Sequence, residues 1–141
     1  MRSVIQQTVV LPAAADVLFE MYLDPRAHAA FTGFPVTIGA EPGAGFRAFG
    51  GQLSGTILAV VRPRLILQSW RSTKFAADDL DSTLILSFTP EGEGGRRGRG
   101  RIDLLHLDVP EHDYQGVTDG WPKHYWNPWR EYLERGGGHR G

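Results

Sequence analysis

Cysteine is missing altogether from the 141 residues. That excludes a disulfide scaffold, a thiolate metal site and a cysteine nucleophile. No charge of one sign dominates: 15 Lys+Arg stand against 16 Asp+Glu, a net charge of −1. Such a chain has no global field to draw it to nucleic acid or to an acidic membrane. Long hydrophobic runs are lacking too. The apolar run at 57–61 falls far short of the ~20 residues that span a bilayer. The opening MRSVIQQTVVLP is interrupted by Gln6, Gln7 and Thr8 and reads as neither a secretory signal nor a transit peptide. A soluble, cytoplasmic protein without membrane insertion is expected. What remains is ordinary globular composition, 41% hydrophobic and 22% charged, which argues against general disorder. The length predicts one domain able to bury roughly 68–70% of its unfolded surface without staples.

Residues 3–11, rich in β-branched types, read as a strand stopped by Pro12. Residues 13–23 carry Val17, Leu18, Met21 and Tyr22 at helical spacing. Asp24-Pro25 ends that helix and opens a second over 26–31, with Asp24 as cap and Pro25 at its first position. From 36 to 109 the pattern is strands and turns, about six strands in all. Segments 53–61 and 64–71 are joined only by Arg62-Pro63 and predict a tight hairpin. Segments 82–89 and 101–109 alternate, and in the second Ile102, Leu104 and His106 share one face.

Between those last two strands, residues 92–100 hold five glycines and three arginines. A solvated hairpin loop is the preferred expectation there, over an RNA contact, because aromatic interleaving is missing. The last element, 111–135, repeats Val117, Trp121, Tyr125, Trp129 and Leu133 every fourth residue, flanked by Trp126 and Tyr132. It predicts a long amphipathic helix from about Gly116, bent near Pro122 and Pro128. Residues 136–141 are expected to form a flexible tail beyond a single domain over 1–135.

Strands closed by a terminal helix predict an α+β arrangement, an antiparallel sheet with its helices on one face. A curved sheet with so few strands cannot close on itself, so the long helix must cover its concave side. Bulky aromatics between the two are expected to prop them apart around a cavity.

Three segments carry a family resemblance. PAAADVLFEMYLDPRAHAAFTG resembles the PA-x-x-V-F…DP…W opening of the START-like, or SRPBCC, superfamily, with Leu18-Phe19 in the V-F region and Phe31 where tryptophan is common. GAGFRAFGGQLSGTILAVVRPRLILQSWR resembles G-x-x-F…G-x-x-x-x-V-x-P…S-W-R. HLDVPEHDYQGVTDGWPKHYWNPWREYL resembles H-x-x-V-P…GW…YYW-x-P-L-x-x-YL. In this order, over residues 4–134, they point to the branch named for homology to the activator of the heat-shock-protein-90 ATPase. The resemblance implies a helix-grip fold: a curved antiparallel sheet, with two short helices after its first strand, wrapped around a long C-terminal helix and an apolar pocket. The family tolerates Pro128; Pro122 directly after Gly120-Trp121 is less usual.

The expected function is binding of a small hydrophobic or amphipathic molecule in that internal cavity, without a cofactor. The expected ligand-binding residues are Phe19, Phe31, Phe46, Trp70, Leu86, His106, Trp121 and Tyr125, with Gln68 a polar contact if its strand face looks inward. His106 matches the histidine of the family's H-x-x-V-P segment. A polar ring on an apolar face is more often a hydrogen-bonded core group than a catalyst, so no catalytic residue is assigned. No G-x-S-x-G elbow, dinucleotide fingerprint or P-loop is present, and the histidines lack metal-ligand spacing. Two alternatives stand beside the binding expectation. One is a chaperone ATPase-activator-like interaction module, disfavoured because that activity is associated with an additional domain. The other is a cyclase- or hydratase-type enzyme using His106 with Asp103, Asp108 or Tyr125. The partner expected is the small ligand, with no nucleic acid, and the chain is expected as a monomer or homodimer.

Overall fold

A computed structural model describes residues 2–92 and 98–136. Strand β1 (Arg2–Leu11) is followed by helices α1 (Ala15–Leu23) and α2 (Pro25–Thr32). Asp24 caps α2 as expected, its carboxylate accepting the Arg26 N–H at 3.1 Å with Pro25 in the first turn. Gly33 closes α2 at φ 85°, a conformation that glycine adopts without Cβ strain. Six strands follow: β2 (Val36–Thr37), β3 (Gly45–Ala48), β4 (Leu53–Val61), β5 (Leu65–Ser72), β6 (Ser82–Pro90) and β7 (Gly100–Pro110). They join β1 in one antiparallel sheet of order β1-β7-β6-β5-β4-β3-β2. The sheet is curved and open, and the C-terminal helix lies in its grip: the α+β helix-grip fold.

Alternation sets which side chains meet that helix. Along β5, Ile66, Gln68, Trp70 and Ser72 face inward and are buried. In β6, Ser82, Leu84, Leu86 and Phe88 do the same. In β7, Ile102, Leu104 and His106 share the inner face. Bulges interrupt the register between Ser3 and Ile5 and between Ile57 and Ala59, each an extra residue that bends its strand. At Gly55 a Cβ would lie 2.0 Å from the Ser69 carbonyl oxygen, so β4 meets β5 there only as glycine.

The last element starts earlier than expected. A 3₁₀ turn (Glu111–Asp113) leads into α3 (Tyr114–Trp121), and α4 (Asn127–Glu134) ends the described chain. Where bends were expected, the backbone stays helical and widens into one π-helical turn over Pro122–Trp126. The widening suits the stripe. Residues four apart drift by roughly 40° per step around an α-helix of 3.6 residues per turn, and a wider turn slows the drift. Val117, Trp121, Tyr125, Trp129 and Leu133 are all buried as a result.

Pro122 brings no N–H to the carbonyl of Thr118. The Gln7 side chain supplies a donor instead, its Nε2 reaching Thr118 O at 2.9 Å, while its Oε1 accepts from Trp126 Nε1 at 2.8 Å. Arg130 donates to Val10 O at 2.9 Å. These contacts tie the helix to β1, a strand paired only with β7 and therefore otherwise an open edge. The glycine–arginine loop falls mostly on 93–97 and the tail on 137–141, both outside the described residues. No helix among the described residues is long and apolar enough to cross a membrane.

Candidate functional site

The C-terminal helix meets the sheet in two ways. Its second half is plugged. Trp129 is fully buried and stacks on Phe31 with centroids 3.9 Å apart and planes within 3°. Phe19 meets Phe88 edge-on at 5.5 Å. Along its first half the helix stands off from the sheet. Asp113, Gly116, Val117, Gly120, Trp121, His124 and Tyr125 fall on one face at three- and four-residue steps and wall a cleft of about 520 Å³. Opposite lie Trp70 and Ser72 of β5 and Leu53 of β4, with Lys74 just beyond β5.

The cleft opens to solvent and is not the enclosed internal cavity expected from sequence. Two glycines on the helix face leave the space. Each costs helical stability relative to alanine, about 0.5–1 kcal/mol. At Gly120 a Cβ would make only an ordinary contact, 3.7 Å from His124 Cδ2. The far end is closed by the turn Phe49–Gly51. Phe49 sits at φ 53°, followed by Gly50 and Gly51 at 68° and 90°. The left-handed region is strained for a bulky side chain. Here it sets the Phe49 ring 5.2 Å from Phe34, 5.4 Å from His124 and 6.1 Å from Tyr125.

Of the residues expected to line the pocket, Trp70, Trp121 and Tyr125 line the cleft. Phe19, Phe31, Phe46, Leu86 and His106 lie in the packed core and do not. His106 is fully buried between groups that fix its tautomer. The indole Nε1 of Trp121 can only donate, so at 3.2 Å Nδ1 accepts. Nε2 then carries the proton and donates to Ser82 Oγ at 2.9 Å, and Ser82 donates onward to Trp70 O at 2.7 Å. Burial lowers the imidazole to about 3. Neither nitrogen is on offer to a substrate, so the acid–base role weighed for His106 has no geometry behind it. Two of its supposed partners are engaged by other groups. Asp103 is engaged by Thr8 and Arg101 on the opposite face, and Tyr125 by another histidine.

That histidine is His28, which was considered from sequence only among the histidines that lack metal-ligand spacing. It is fully buried. Its Nδ1 donates to Tyr22 O, a carbonyl in the last turn of α1, at 2.7 Å, so its Nε2 accepts from the Tyr125 hydroxyl at 2.8 Å. Burial lowers His28 to about 4, opposed by the bond to Tyr22 O. Tyr22 in turn donates to Gln68 Oε1 at 2.5 Å. Gln68 does face inward, but its acceptor is spent on this core bond and it does not line the cleft. Burial raises both tyrosines well above the usual phenol value, for Tyr22 with a further push from Tyr125. Both hydroxyls stay neutral and act as fixed links.

Nothing local marks His28: its Tyr125 partner lies 97 residues away. The cleft was better signalled. Glycines at 116 and 120, inside an otherwise helical pattern, are the kind of residue that leaves space.

The fold and the sequence pattern can now be compared with known proteins. The family described as activator of Hsp90 ATPase homolog 1-like protein matches residues 12–134. The chain belongs to this family. Among solved structures, an HSP90 activator from Plasmodium falciparum superposes with a TM-score of 0.80 at 17% identity, over 93% of this chain and 96% of that one. A protein from Mesorhizobium loti gives a TM-score of 0.76 at 17% identity, over 94% and 98%. CalU16 from Micromonospora echinospora gives 0.73 at 19%, over 94% and 83%. At such identities the likeness is one of fold. A comparison with curated proteins gives no match. For a member of the Hsp90-activator homology family, the START-like module is thus established, of the kind that serves as a ligand-binding or activator-like unit.

Proposed function

We propose that this family member binds a small apolar or amphipathic molecule in the cleft beside α3. The observation that carries the proposal is the hollow left at Gly116 and Gly120, faced by Trp70, Trp121 and Tyr125. A volume of about 520 Å³ falls in the range of small-molecule sites, roughly 300–1,000 Å³. Aromatic walls supply apolar area to bury, and polar groups at one end set orientation. Phe19, Phe31, Phe46, Leu86 and His106 support the site from behind by packing the sheet against the helix. No cofactor is part of the proposal.

The test is a titration of tryptophan emission and melting temperature with fatty acids, sterols and aromatic polyketides. Gly120→Leu fills the cleft without a backbone clash, since a Cβ there makes only an ordinary contact with the His124 ring. It should abolish binding while leaving the melting temperature equal or higher. Unchanged emission and melting with the whole panel, or undiminished binding by Gly120→Leu, overturns the proposal.

The family description and the Plasmodium neighbour support a second reading, a module that stimulates a chaperone ATPase. Purified Hsp90 whose ATPase rate is raised by the wild-type chain, and raised equally by Gly120→Leu, favours that reading over the first.

A further inference from the structure

One end of the cleft carries a carboxylate that the fold leaves unanswered. Asp113 is 8% exposed and lines the cleft. It precedes α3, yet its side chain caps no helix N–H. None of the described residues donates a hydrogen bond to it. Its Oδ1 lies over Gly116, where a Cβ would approach to 3.0 Å. Partial burial pushes this carboxyl up, against the pull of Lys74 and then His112. Lys74, which acts on the Asp113 charge, and Ser72, which is bonded to the Lys74 backbone, line the cleft beside it. Ser72 Oγ accepts the Lys74 backbone N–H at 3.1 Å, and its own proton has no acceptor among the described residues. One end therefore holds an unfilled acceptor beside unfilled donors, with one negative and one positive charge. The opposite end, around Phe49, His124 and Tyr125, is aromatic.

We propose that the cleft selects ligands whose polar end is an uncharged donor–acceptor group, an alcohol or phenol, set against Asp113 on one side and Ser72 and Lys74 on the other. The inference rests on the binding function proposed above and adds the chemical class. A hydroxyl gives its proton to Asp113 and accepts from Ser72 or Lys74, so both sides are satisfied by one atom. An anionic or a cationic head meets one like and one opposite charge there, so it gains no net attraction to offset the hydration it gives up in a partly dry cleft. The apolar body lies toward Trp121 and Val117 on the helix and Leu53 on the sheet.

The experiment holds the ring constant and changes the head. 2-Naphthol, 2-naphthoate and 2-naphthylmethylammonium are titrated calorimetrically into the wild-type chain near neutral pH. Naphthol should bind tightest, by about fivefold over either ion, the effect of one partly screened charge. In Asp113→Asn, naphthoate should gain and the ammonium lose, each by about fivefold. Asn suits the position before a helix as well as Asp. In Lys74→Met, at an exposed position, the ammonium should gain instead, which keeps the test alive if Asp113→Asn folds poorly. If all three probes bind wild type alike and neither variant reorders them, the head-group assignment is wrong while binding in the cleft stands. If no probe binds wild type, and the lipid, sterol and polyketide panel also fails, both fall together.

Discussion

Acidification should unfold this protein through two imidazoles that never meet solvent. His28 and His106 are neutral in the fold, lowered by burial to about 4 and about 3. In the unfolded chain both return to the ordinary 6.5. Between those limits the unfolded state binds more protons than the native state, so stability rises with pH and is lost as pH falls from about 6.5. At pH 5 each histidine costs about 2 kcal/mol relative to its fully neutral limit, about 4 kcal/mol for the pair. That is a large part of the 5–15 kcal/mol typical of a domain, taken as an order of magnitude. Asp113 acts with the opposite sign, because its raised carboxyl gains a proton in the fold first. Melting followed by circular dichroism at pH 7, 6 and 5 should show a fall on the order of 12–16 °C, from about 3–4 °C per kcal/mol for a chain of this size. Calorimetric unfolding at pH 5 in buffers of different ionisation enthalpy should register close to two protons taken up. A flat melting temperature from pH 7 to 5, or His28 and His106 titrating near 6.5 in the folded state, refutes the assignment of both rings as locked and neutral.

Trp129→Ala removes a fully buried ring stacked on Phe31 and should cost about 3–5 kcal/mol in urea unfolding. Gln7→Ala strands the Thr118 carbonyl and the Trp126 indole. A loss of about 1–3 kcal/mol is expected, with faster amide exchange across Tyr114–Glu134 than in the sheet. Asp24→Ala deletes the cap of α2 and should cost about 1 kcal/mol. Phe49→Gly relieves a left-handed backbone, so stability should fall by less than the lost ring contacts imply, while affinity for any cleft ligand drops; titration and melting measured together separate the two.

Strands β5, β6 and β7 were legible because each buries one face fully and the other only in part, and a period of two leaves little freedom: Ile66, Gln68 and Trp70 inward, Ile102, Leu104 and His106 inward. Asp24-Pro25 placed the break between α1 and α2 because a cap and a proline act locally. The start of the last helix was missed because Glu111–Asp113 forms a 3₁₀ turn with no side-chain cap to announce it. The site was legible only in part. Aromatics were assigned to a pocket by size and nearness to the helix, and size does not tell a ring that interlocks, such as Phe31, from one that borders a void, such as Trp121. What separates them is the small residue beside Trp121 and the distant turn carrying Phe49. Partnerships such as His28 with Tyr125 exist only after the chain has folded back on itself.

Trp121 belongs to two neighbourhoods at once. Its face borders the open cleft, while its nitrogen holds the first link of the relay through His106 and Ser82 to the carbonyl of Trp70, another wall residue of the same cleft. A guest that wedges the indole aside must break a chain rooted in the middle of the sheet. For the binding proposed here, the cleft is therefore a rigid template, and a misfitting guest would have to disrupt bonds deep inside the sheet.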